Sequence, residues 1–243
     1  MKRTERHHLK ENELELLTRQ AREAIAARQK EVTAGLVILA IVGVAALAYF
    51  LWRERVQSRA HALLADAIVV QDARVVPPVA PGTPPPQTAG SYPTEQAKLE
   101  AALVKFKAAA DAYPSTDAGL YARYQQGAVL MSLNRPVEAI ACYQDVSKHA
   151  GNGIYAQMAQ LGLAEAHARA GQYEQAINGF KELAQRKDGP LPVDGILMQL
   201  GRTYLDAGKP ADAQQTFSRL VQEYPESPFN AEARRELDSL KKT

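Results

Sequence analysis

The sequence predicts an all-α protein, a single N-terminal transmembrane helix followed by a solenoid of helical hairpins. Two observations carry that fold class. Residues 32–52 form an uninterrupted run without a charge. Small, turn-forming and aromatic residues then recur with a period of 37 between residues 127 and 217.

The first 31 residues form a basic tail carrying Lys2, Arg3, Arg6, Lys10, Arg19, Arg22, Arg28 and Lys30. Leu14, Leu17, Ala21 and Ala24 or Ile25 make a narrow apolar stripe at helical spacing, so the tail is expected to be helical. A place on the membrane surface and a partner-binding role both stay open for it.

The stretch "VTAGLVILAIVGVAALAYFLW", residues 32–52, is long enough as a helix to cross a bilayer core at about 1.5 Å per residue. Tyr49 and Trp52 sit near its end, where amphipathic aromatics settle at the headgroup level, and "RER" follows. A signal peptide would show a shorter apolar core and a small-residue cleavage site. Here a long tail precedes the span and arginines follow it, so a retained anchor contacting lipid through residues 32–52 is expected. The basic tail favours a cytoplasmic N-terminus and a domain on the far side, although Arg53, Arg55 and Arg59 narrow the asymmetry. No small residues recur four apart in the span, so no close-packed dimer face is suggested.

Residues 54–240 are expected to form the hairpin domain. Ala139, Ala176 and Ala213 are each 37 residues apart, and so are Tyr143, Phe180 and Phe217. The turn residues Asn134, Gly171 and Gly208 keep the same step, as do the small residues Gly127, Ala164 and Gly201. A small residue on a first helix and an alanine on the second let two helices approach closely, and the aromatic fills the seam between hairpins. Gly or Asn between them permits a left-handed turn. One hairpin cannot bury its apolar face alone, whereas stacked copies share a core. Full repeats are expected to start near residues 120, 157 and 194. Stepping back from Ala139 reaches Ala102, Phe106 and Ala109, the second helix of a degenerate unit whose first helix is "VQSRAHALLADAIVVQDA". Between them, at about residues 75–93, lies a Pro-rich insertion that cannot be helical. At the other end "PFNAEARRELDSL" reads as a solvating cap.

The pattern resembles the tetratricopeptide repeat, most clearly at Leu200, Gly201, Tyr204, Gly208, Ala213, Phe217 and Pro225. In stacks of this kind the first helices line one concave face. Repeat position places there Tyr121, Tyr124 and Met131, then Met158, Leu161, Glu165 and Arg169, and finally Met198, Arg202 and Leu205. Tyr and Met suit an adaptable groove for a peptide or helix. Packing against a neighbouring helix or the cap is the competing role for each. Tetratricopeptide proteins that clamp a chaperone's C-terminal carboxylate carry Lys and Asn at fixed groove positions. This chain has Tyr124 and Ala128, then Leu161 and Glu165, at those places, so a clamp of that kind is not expected.

Other function classes find little support. The formal net charge of +2 gives no electrostatic reason for nucleic-acid binding. Cys142 is the only cysteine, so no internal disulfide can form. The five histidines are scattered or lie in the tail, and no Cys/His set has metal-ligand spacing. No nucleophile–base constellation stands out. The sequence therefore predicts neither an enzyme nor a cofactor.

The order of parts, from tail through "GLVILAIVGVAALAYFLWRERVQSRA" to the repeats, resembles the bacterial YfgM family, ancillary subunits of the SecYEG translocon. That resemblance covers residues from about 30 to 240. It implies an inner-membrane protein with a cytoplasmic N-terminus and a periplasmic repeat domain, associating with the translocon and with periplasmic chaperones such as the prolyl isomerase PpiD. It assigns no individual contact residue. Two other readings share the architecture. One is an assembly factor for another envelope system, such as cytochrome c maturation or cell division; the other is a structural protein that self-associates. The oligomeric state is not legible.

Overall fold

A computed structural model describes residues 18–19, 29–76, 90–151, 153–186 and 189–241. The chain divides into two compact units, Met1–Arg55 and Val56–Thr243.

In the first unit the described residues are helical. Most of the tail expected to be helical lies outside the described residues. Helix α1 runs Gln29–Gln71, so the apolar span is not a separate element. Its Leu36, Ile41, Leu47 and Phe50 side chains are all exposed. The helix is long and apolar enough to cross a membrane. Near the end of the apolar run the Tyr49 and Trp52 rings lie 6.1 Å apart.

The second unit holds the rest of α1 and eight further described helices. They are α2 (Glu95–Ala112), α3 (Asp117–Ser132), α4 (Pro136–His149), α5 (Ile154–Arg169), α6 (Tyr173–Gln185), α7 (Val193–Asp206), α8 (Pro210–Glu223) and α9 (Asn230–Leu240). Most of the Pro-rich insertion lies outside the described residues. Its two flanks pair as short parallel strands, β1 (Arg74–Val75) beside β2 (Ser91–Tyr92). This strand pair is an addition to the all-α expectation, and it pins the ends of the insertion together.

Local chemistry explains the helix boundaries. Thr94 and Thr116 cap α2 and α3, their hydroxyls accepting from the Ala97 and Gly119 amides at 3.1 and 3.0 Å. Pro136 and Pro210 open α4 and α8, where a missing amide proton costs nothing. The three hairpin turns share one geometry. Asn134, Gly171 and Gly208 adopt φ of 57°, 74° and 69°. The amide after each donates to the carbonyl five residues back: Arg135 to Leu130, Gln172 to His167 and Lys209 to Tyr204, at 2.8–2.9 Å. Each first helix thus ends in the same left-handed cap.

Packing follows the period. The Tyr143 ring is so close that a Cβ added at Gly127 or Gly162 would approach it to 2.8 or 2.7 Å. Tyr143 therefore sits between its own first helix and the next. At Gly201 an added Cβ would meet Phe217 at 2.3 Å. In the middle repeat the small partner is Ala164, and it faces Gly179, beside Phe180. Ala139, Ala176 and Ala213 are fully buried. One core cluster joins Ala67 on α1 to Ala102, Phe106 and Ala109 on α2. The degenerate first hairpin therefore takes its first helix from the end of α1.

Candidate protein-interaction surface

Helices α3, α5 and α7 lie side by side, because residues from all three line one cleft of about 380 Å³. Its walls are Met131 from α3, Glu165, Ala168 and Arg169 from α5, and Gln199, Arg202, Thr203 and Asp206 from α7. Phe180 closes the floor. Met131, Glu165, Arg169 and Arg202 are thus brought together from the ten candidates.

The same face carries a row of tyrosines toward its N-terminal end. Tyr155 and Tyr121 are 6.0 Å apart between ring centroids, Tyr121 and Tyr124 6.5 Å, and Tyr124 and Tyr143 5.6 Å. Tyr143 is buried, whereas Tyr121, Tyr124 and Tyr155 are half-buried. Gln125 donates to the Tyr121 hydroxyl at 3.0 Å. Tyr155 was not among the candidates; it lies in the first turn of α5, and only its meeting with Tyr121 across two repeats reveals its place.

Three candidates turn inward. Met198 is 1% exposed and belongs to the core. It lies on the same helix face as Gly195 and Arg202, at the spacing that brings side chains together. The Phe229 ring packs beside Gly195, and Glu232 of α9 pairs with Arg202. Met198 shares its core cluster with Ala233 of α9, and this burial removes it from the candidate groove. Leu161 and Leu205 are partly buried against the same core. Met158 is half-buried on α5.

Electrostatics sharpen the cleft. Arg169 Nη1 donates to the Met131 carbonyl at 3.0 Å, bridging α5 to α3. Burial raises the Glu165 carboxyl above the ordinary carboxylate range, and the Arg169 charge opposes that shift. Burial also raises the Tyr124 hydroxyl, with the Glu165 charge adding to the effect.

A larger cleft of about 730 Å³ opens on the other side, where α2 and α4 flank α3, and it was not legible from the period. Its charges close on one another. Arg123 bridges Asp111 at 2.6 Å and Asp145 at 3.0 Å, while Arg135 holds Glu138 at 2.6 Å. The Lys107 hydrogen bond, with Arg123, keeps the Asp111 carboxyl low despite its partial desolvation. Cys142 also lines this cleft, and burial pushes its thiol up to about 11, so the reactive thiolate is scarce at neutral pH. Half-buried His167 meets the Gln172 side chain at 2.6 Å, a structural contact. Among the described residues no group of three or more His, Cys, Asp or Glu could hold a metal ion.

Comparison with known proteins agrees with this geometry. Two family profiles described as tetratricopeptide repeat match residues 124–192 and 169–235. A search of curated proteins returned no significant match. Two crystal structures of nearly identical TPR-like repeats, assigned to a Podosopora anserina kinesin light chain, are 14% and 13% identical to this chain. Each alignment covers 76% of this chain, with 86% and 87% of the other, at a TM-score of 0.57. A tetratricopeptide repeat protein from Parabacteroides merdae is 19% identical over 59% of this chain and 54% of its own, at a TM-score of 0.48. At these identities the likeness concerns the fold alone. Period, left-handed turns, packing and matched profiles converge: this chain is a tetratricopeptide-repeat protein of the helical-repeat superfamily.

Proposed function

We propose that this protein is a noncatalytic, membrane-anchored scaffold that binds protein segments on the face formed by α3, α5 and α7. One observation carries the reading: a single chain joins an exposed apolar helix of membrane-spanning length to a repeat face built of half-buried Tyr and Met beside a charged cleft. Apolar and aromatic side chains supply adaptable contact area for a peptide or helix, and the cleft supplies register. Helical repeats without a deep closed pocket suit extended partners better than small molecules.

The finer assignment places the repeat domain in the periplasm of a bacterial inner membrane, linking the Sec translocon to periplasmic chaperones during secretion and folding. It rests on the resemblance of residues 30–240 to the YfgM family and on the basic tail. Site-directed photo-crosslinking from Tyr121 and Met158 in native membranes, followed by identification of the adducts, tests it. Translocon or chaperone adducts are expected. Adducts drawn only from another envelope complex would replace the Sec assignment and leave the scaffold reading standing.

A further inference from the structure

The acid in the α3–α5–α7 cleft is placed for more than packing. Glu165 is half-buried, yet among the described residues it makes neither a hydrogen bond nor an ion pair. The cation that would ordinarily neutralise it is Arg169, four residues later on the same helix face. That guanidinium instead reaches across to the Met131 carbonyl on α3. The second cation of the cleft, Arg202, is held by Glu232 of the cap. Asp206 adds a further carboxylate to the wall, so three acids face two guanidiniums. A half-buried carboxylate without a partner is costly, and a structural role would be served as well by Gln or Met.

We propose that Glu165 is the recognition point for a lysine or arginine side chain of a bound protein segment, whose neighbouring apolar residues lie along Tyr121, Tyr124 and Tyr155. The proposal rests on the reading of this face as the binding groove and names the chemistry of its occupant. Three features converge on a cation. The cleft has room for a side chain beside the carboxylate. Its local charge is negative once the internal pair is closed. Tyr124 feels the Glu165 charge, so the tyrosine row begins within electrostatic range of the carboxylate. An acidic segment would add negative charge to a cleft whose two guanidiniums already hold the Met131 carbonyl and Glu232.

The test uses the full chain in lipid nanodiscs and a phage-displayed library of random dodecapeptides, with enriched sequences resynthesised and measured by fluorescence anisotropy. Enriched peptides are expected to share one Lys or Arg. Glu165→Gln should weaken them by about tenfold or more, as loss of one member of a desolvated charge pair does. Glu165→Lys should turn selection toward peptides bearing Asp or Glu, a reversal that a merely structural role would not produce. Both variants are followed by thermal unfolding, and Glu165→Gln is expected to melt no lower than the parent. Peptides without a basic residue that lose affinity with Tyr121→Ala but not with Glu165→Gln would overturn the inference and leave the groove intact. Peptides indifferent to both substitutions, or a selection that enriches nothing, would overturn the groove reading together with the inference.

Discussion

At the residue scale, Gly201 and Ala176 show how little room the hairpin seams leave. A Cβ at Gly201 would stand 2.3 Å from the Phe217 ring, itself fully buried. Ala176 has no exposed surface and belongs to the same cluster as Phe180. Both Gly201→Ala and Ala176→Leu are therefore expected to destabilise the repeat unit by roughly 1–3 kcal/mol, through overpacking. Urea unfolding measures it, and an unchanged midpoint for either would show that the seam can relax. Gly171 makes a useful contrast, because nothing crowds its Cβ and only its φ of 74° resists a side chain. Glu165 gives a pH signature. Its folded carboxyl titrates above the unfolded one, so the folded state holds the proton more tightly. The associated stability is fully present below the ordinary Glu range and is lost as pH rises through the folded value. Relative to the parent, Glu165→Gln should therefore gain melting temperature at pH 7, and the gain should vanish near pH 4. A constant difference across that range would show that Glu165 does not titrate in the fold.

At the element scale, α9 does more than solvate the end of the stack. Phe229, Leu237 and Leu240 pack on the C-terminal core, and Ala233 is fully buried. Asp194 accepts from the Ser227 hydroxyl at 2.6 Å, which ties the approach to α9 back to the start of α7. Truncation before residue 228 would strip Phe229, Leu237 and Leu240 from that core. Burial of such side chains contributes about 1.5–3 kcal/mol each, so a loss of roughly 3 kcal/mol or more is expected. For a domain of this size that lowers the melting temperature by roughly 6–12 °C and increases dye binding to apolar surface. A truncated chain that melts with the parent would show that the cap is dispensable. The charged strut of Arg123 with Asp111 and Asp145 joins three helices but is partly exposed at its acids, and little stability is ascribed to it.

At the scale of the whole molecule, the proposed anchor is the testable part. Residues 32–52 should hold the protein in membranes through alkaline carbonate extraction, and removing residues 1–55 should release the repeats to the supernatant. A cysteine-reactive or protease-accessible tag placed after residue 90 should be reached from the periplasm in intact spheroplasts. Accessibility only after the inner membrane is opened would reverse the topology and remove the periplasmic assignment.

Much of the repeat architecture was legible in sequence because each joint has a one-residue cause. A left-handed φ demands Gly or Asn, and a close helix approach demands a residue no larger than Ala, so both leave a mark at a fixed period. The candidate face was only half legible. Repeat position tells which way a side chain leaves its own helix, and it placed Met131, Glu165, Arg169 and Arg202 on one side. Whether that side is open depends on what packs there, and Met198 is buried in the core that α9 joins while Tyr155 meets the aromatic row from another repeat. The sequence by itself determined the hairpin period, the turn residues, the seam aromatics and the apolar run of α1, since these follow from local sterics and hydrophobic length. Only the tertiary structure decided that Arg169 turns to a carbonyl, that Arg202 is claimed by the cap and that Glu165 is left without a partner. Those outcomes come from contacts 30 or more residues apart, whose geometry no local pattern encodes.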